Sequence, residues 1–167
     1  MSVKKVPVAL AGFGHIGKAF AALMAEKADA VRLRYELDLR LVAVLRKRGA
    51  VVDEGGFTGP VPAVGSAGWT DGLTAAEVLG RGERGVLADC TPSSIRTGEP
   101  GLGILRAALA AGWHVATAGK GPLVLDYAGL RDAARRVGVQ IRYSAATAAA
   151  LPTLDVGLLS LAGAEVL

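Results

Sequence analysis

Gly12-Phe13-Gly14-His15-Ile16-Gly17 has the residue types and spacing to cradle a pyrophosphate. Gly12 permits a tight turn, Gly14 lets backbone approach a phosphate, and Gly17 lets a following helix pack closely on the preceding strand. The free N–H groups and positive dipole end of that helix would then face the anion. A second feature is the cationic run Arg46-Lys47-Arg48. In dinucleotide-binding folds an acidic residue at the end of the second strand bonds the adenosine ribose, whereas arginine suits a 2′-phosphate. Asp53 and Glu54 come too late for the acidic role, so Arg46 with Lys47 or Arg48 favours NADP, with NAD as the alternative. The plain readings are a structural glycine turn and a basic surface loop. Cys90, in Val86-Leu87-Ala88-Asp89-Cys90, reads as a buried strand residue, and 2 histidines with 1 cysteine make no zinc site, so no metal is expected.

These groups need strands and helices to hold them. Val6-Pro7-Val8-Ala9-Leu10-Ala11 is an apolar run suited to a buried parallel strand, and Lys18–Lys27 is rich in helix formers. The reading places strands at Lys5–Ala11, Leu39–Leu45, Val86–Cys90, His114–Ala118 and Val139–Tyr143. Helices are expected from His15 to Arg34, over Ala75–Leu79, from Glu99-Pro100 to Ala111, and from Leu123 to Val137. Thr74 and Glu77 have the spacing of a capping box, and Gly112 and Gly138 stop the two later helices. Residues 49–68 are punctuated by glycine and proline and read as irregular, with a short strand at Val51-Val52, and 119–122 reads as a loop. Strands alternating with helices of this length imply an α/β fold of Rossmann type, one domain with a doubly wound parallel sheet.

A chain of 167 residues, 51% hydrophobic and 20% charged, supports one folded domain whose core is mostly Ala, Val and Leu. No run is long enough to cross a bilayer and no signal-peptide core follows Met1, so no membrane association is expected; the single cysteine rules out an internal disulfide framework, from which a cytoplasmic location is expected. The net charge of +4 is scattered along amphipathic segments, without zinc-finger spacing or stacking aromatics, which argues against nucleic acid.

Five segments together resemble the N-terminal nucleotide-binding domain of homoserine dehydrogenase. They are the Gly12–Gly17 loop, Arg48-Gly49-Ala50-Val51-Val52-Asp53, Asp89-Cys90-Thr91-Pro92, Ala111–Pro122, and Tyr143–Pro152. The resemblance implies an oxidoreductase that interconverts homoserine and aspartate semialdehyde with NAD(P), on the route to threonine and methionine. It implies that Lys120 is the catalytic residue, beside the nicotinamide, hydrogen-bonded to the substrate oxygen and taking part in proton transfer. Gly119 stands where the family has asparagine, and Thr91, Pro92 and Ser93 fall in the segment that lines the cofactor. With Phe13, His15 and Ile16 of the loop, these complete the expected cofactor contacts. Ser144–Ala150 lacks the family's glutamate and paired glycines.

Residues 1–155 are expected to form the dinucleotide-binding domain. The apolar tail 156–167 reads as the start of a missing substrate and dimerisation domain. Without that domain the chain should bind cofactor but turn over little, since orientation of the substrate is a large part of the rate. A homo-oligomer is compatible with this reading. The competing assignments are a reductase of the glucose–fructose oxidoreductase type and a non-catalytic nucleotide-binding module.

Overall fold

The structure, a computed structural model, describes residues 3–148 and Val156. The expected boundary after residue 155 and the tail 156–167 therefore lie outside the described residues, apart from Val156. In chain order the elements are β1 (Lys4–Ala11), α1 (His15–Tyr35), β2 (Leu37–Arg46), β3 (Gly49–Val52), β4 (Trp69–Asp71) and α2 (Ala75–Leu79). They continue with β5 (Val86–Asp89), α3 (Gly101–Ala110), β6 (His114–Thr117), α4 (Lys120–Val137), β7 (Ile141–Arg142) and α5 (Ser144–Ala148).

The strands form one sheet in the order β4-β3-β2-β1-β5-β6-β7. β1 lies between β2 and β5 and is parallel to both. The chain moves outward on one side of β1 through α1, then returns and moves outward on the other side through α3 and α4. Such a reversal opens a crevice at the carboxyl ends of the central strands, where ligands bind in open α/β sheets. The β5–β6 and β6–β7 pairs are parallel as well.

The other edge departs from the expected all-parallel order. β3 pairs antiparallel with β2, and β4 antiparallel with β3. The cause is chain length: only Lys47 and Arg48 connect β2 to β3, which suffices for a hairpin but not for a crossover. β4 is the one strand that sequence pattern does not suggest, being three residues long.

Strand alternation divides the core between the two faces of the sheet. Leu10, Val44 and Ala88 pack with Phe20 and Ala21 of α1. Ala9, Ala11, Leu45, Leu87 and Val115 pack on the other face with Leu105 and Leu109 of α3 and Leu130 of α4. The capping box forms as expected: the Glu77 backbone N–H donates to Thr74 Oγ1 at 3.3 Å, and the Thr74 backbone N–H donates to Glu77 Oε2 at 2.8 Å.

α4 begins three residues earlier than the sequence suggests, with Gly119 as its N-cap. Pro122 is tolerated there because N–H groups of a first turn have no intrahelical acceptor. The helix is interrupted at Asp126, whose φ of −150° and ψ of 40° are not helical.

Candidate functional site

The glycine loop is built almost wholly from backbone. Gly12 leaves β1 with φ +85°, its N–H donating to the Leu45 carbonyl at 2.9 Å. A β-carbon on Gly12 would meet the Cys90 carbonyl oxygen at 2.6 Å and the Thr91 nitrogen at 2.9 Å, so the loop lies directly against the chain leaving β5. A β-carbon on Gly17 would collide with the Gly12 carbonyl oxygen, so the first turn of α1 closes on the loop itself. Gly14 is different: nothing lies within 4 Å of its β-carbon position, and it N-caps α1 without a side-chain hydrogen bond. The early N–H groups of α1 are thus open toward the edge of the sheet. His15 and Ile16 are exposed there, Ile16 at 63%.

At the end of β2 the three cations part company. Arg46 is half-buried, with its guanidinium carbon 4.8 Å from the centre of the Phe13 ring. Its Nε is buried and has no hydrogen-bond partner among the described residues. Lys47 and Arg48 are the exposed central residues of the β2–β3 hairpin, and Arg48 reaches Asp71 at 3.8 Å. Only Arg46 is brought against the glycine loop. The divergence follows from the hairpin, which turns the backbone through its two central residues.

Across the crevice, β5 and β6 end in register, with Asp89 opposite Thr117. Both are buried, at 1% and 3% exposure. Asp89 Oδ1 accepts from the Thr91 backbone N–H at 3.0 Å and from the Thr91 hydroxyl at 2.6 Å. Asp89 Oδ2 accepts from the Thr117 hydroxyl at 2.7 Å, and Thr117 Oγ1 accepts from the Gly119 N–H at 2.9 Å. Two residues further on, in the first turn of α4, the Gly121 N–H donates to Ser93 Oγ at 2.6 Å. The chain after β5 is thereby tied to the start of α4 at two points.

Lys120 is the first residue of α4 and is exposed, and its side chain makes no hydrogen bond or ion pair among the described residues. Thr91 is half-buried, and Pro92 and Ser93 are exposed. Burial, followed by the nearby Asp89 charge, pushes the Cys90 thiol above its ordinary pKa, which leaves it a poor nucleophile.

The structure therefore gathers the glycine loop, Arg46, Thr91, Ser93, Gly119 and Lys120 along one edge, while Lys47 and Arg48 sit at the hairpin tip. Asp89 and Thr117 are the polar residues that sequence reading passed over. An acidic residue at the end of a buried apolar strand was their one available signal. A groove of about 830 Å³ between α1, β2 and residues 55–61 meets the loop only at Phe13. A cavity of about 270 Å³ between α4 and β7 is lined by Tyr127, Arg131 and Tyr143, away from the glycine loop. Among the described residues no group of three or more His, Cys, Asp and Glu could hold a metal, and no helix is long and apolar enough to cross a membrane.

Comparison with known proteins agrees with this arrangement. Residues 12–144 match the family described as homoserine dehydrogenase, NAD binding domain. A homoserine dehydrogenase of Methanocaldococcus jannaschii is 30% identical over 171 residues, covering 96% of this chain and 50% of that protein. An NAD(+)-dependent homoserine dehydrogenase of Pseudomonas canavaninivorans is 29% identical, covering 95% of this chain and 48% of that protein. A crystal structure from Archaeoglobus fulgidus, provisionally named a homoserine dehydrogenase, superposes with a TM-score of 0.73 at 27% identity, over 94% of this chain and 48% of that one. The chain thus spans about half the length of the curated relatives it matches. It belongs to the homoserine dehydrogenase family, and the region it shares with that family is the NAD-binding domain.

Proposed function

We propose that this chain binds a nicotinamide dinucleotide across the carboxyl edge of its sheet, NADP in preference to NAD, as the cofactor half of a homoserine dehydrogenase. The observation that carries the reading is the packing of the Gly12–Gly17 loop against the Cys90–Thr91 backbone. It sets the open N-terminus of α1 beside the loops that carry Thr91 and Lys120. In this reading the pyrophosphate lies over Gly14 and the first turn of α1, where unpaired N–H groups and the helix dipole favour an anion. Arg46 is held over Phe13, and in this reading its guanidinium faces the adenosine ribose, where a 2′-phosphate would gain a charge-assisted hydrogen bond. The named NAD(+) dependence of the Pseudomonas relative keeps NAD as the alternative cofactor.

Thr91 and Ser93 border the nicotinamide half. A nicotinamide bound there would supply the hydride acceptor for oxidation of homoserine and, reduced, the hydride donor for the reverse reaction. Lys120 holds the substrate oxygen by hydrogen bond and carries the proton that must leave or arrive with the hydride. A cytoplasmic setting fits a chain whose single cysteine is a half-buried thiol.

The test is homoserine-dependent reduction of NADP by this chain alone and by this chain fused to the C-terminal half of the Methanocaldococcus relative. The fusion should turn over and the chain alone should not, because positioning of the amino acid comes from the other half. Lys120→Met in the fusion should lower kcat by about a thousandfold with cofactor affinity retained. An active fusion indifferent to Lys120→Met would remove the assigned role.

A further inference from the structure

We propose that Asp89 and Thr117 are positioning residues that set the nicotinamide side of the crevice, acting through Thr91 and Gly119 rather than by touching cofactor or substrate. The inference rests on the cofactor reading above. Its basis is the way one buried carboxylate divides its two oxygens. Oδ1 takes both donors of Thr91, at 3.0 Å and 2.6 Å, and so fixes the first residues after β5. Oδ2 takes the Thr117 hydroxyl at 2.7 Å, and that hydroxyl in turn accepts the Gly119 N–H at 2.9 Å. Gly119 is the N-cap of α4, and Lys120 follows it. A continuous chain of four hydrogen bonds therefore runs from Thr91 to the backbone that carries Lys120.

Asp89 is buried and has no cationic partner among the described residues, a costly placement that a strand end does not need for its fold. What the carboxylate provides is an acceptor on each side at once. An asparagine has a single oxygen: it can keep the Thr91 donors, but its amide would then donate to Thr117 Oγ1 and leave the Thr117 hydroxyl proton without the acceptor it has in Asp89 Oδ2. The surroundings are shaped to this group. A β-carbon on Gly119 would lie 3.0 Å from Asp89 Oδ2, and one on Gly101 would lie 3.3 Å from Thr91 Oγ1. The second tie, from the Gly121 N–H to Ser93 Oγ, is exposed at the serine and sits outside this buried chain.

The discriminating experiment compares two ligands on the full chain by calorimetric titration: NADPH, and adenosine 2′,5′-bisphosphate, which lacks the nicotinamide half. Asp89→Asn and Thr117→Val should each weaken NADPH about tenfold and leave the bisphosphate within about twofold. Thr117→Ser keeps the hydroxyl and should restore NADPH affinity. Equal weakening of both ligands, or failure of the serine to rescue, would show a general support of the fold and overturn the proposal. NADPH affinity unchanged in both variants would overturn it too. A wild-type chain that binds neither ligand would bring down the cofactor reading and this inference with it. A wild-type chain that binds both, with variants that show no split, would bring down this inference alone.

Discussion

The two sides of the crevice are held by different means. On the α1 side, Gly12 and Gly17 leave out side chains at the closest approaches, and backbone carbonyl oxygens lie against their β-carbon positions. On the α4 side, a buried carboxylate and two threonines link the loops through side-chain hydrogen bonds. Backbone packing of the first kind leaves the N–H groups of the helix start open, as an anion requires. Side-chain linkage of the second kind leaves room for Lys120 to stay exposed while its backbone is fixed. The lesson is that a rigid cradle needs missing atoms, whereas a set distance between two loops needs an added polar group.

The comparison is broken most severely by adding one carbon to the backbone-built side. Gly17→Ala places its methyl against the Gly12 carbonyl oxygen, where neither backbone can yield. The expected loss is about 3 kcal/mol of stability, read by urea denaturation, with NADPH binding abolished. On the other side, Asp89→Ala strands the Thr91 and Thr117 donors in a buried site. A loss of about 2 kcal/mol is expected, smaller because hydroxyls can turn toward other acceptors while a carbonyl cannot move away.

Arg46→Ala tests the outer rim of the glycine side. It should weaken NADPH about tenfold and NADH about twofold or less, with thermal stability nearly unchanged, since its Nε has no hydrogen-bond partner among the described residues. Equal effects on the two cofactors would remove the 2′-phosphate role.

The smallest effect is expected at the far end of the sheet. Asp38 near the start of β2 takes hydrogen bonds from Arg32 and Arg40, each at 2.8 Å. The Arg32 guanidinium, then that of Arg40, holds its carboxyl below the usual range. A lowered folded-state pKa stabilises above the unfolded value of about 4 and is lost as pH falls through the folded one. Asp38→Asn should therefore cost less than about 1 kcal/mol at neutral pH, and the difference from wild type should vanish in acid. Nucleotide affinity should not change.

How much of this was legible before the fold was known follows the same division. The Gly12–Gly17 spacing announces itself because each glycine answers a local backbone demand, and so does the Thr74–Glu77 cap. Asp89 and Thr117 lie 28 positions apart and meet only through the β5–β6 register, which no local pattern encodes. The start of α4 was misplaced because Gly119-Lys120-Gly121-Pro122 reads as a loop, although a proline is well suited to a helix's first turn. Lys47 and Arg48 adjoin Arg46 in the sequence, and adjacency does not tell which cation faces the loop. The short hairpin sends them elsewhere, and antiparallel pairing of β3 and β4 follows from the same short link.

The central claim is that this edge of the sheet binds a nicotinamide dinucleotide. Titrating the purified wild-type chain with NADPH and with NADH, followed by nicotinamide fluorescence, tests it directly. The account predicts saturable binding of NADPH in the micromolar range, with NADH weaker. Absence of saturation by either nucleotide at millimolar concentration would contradict it, and the glycine loop would then be a structural turn.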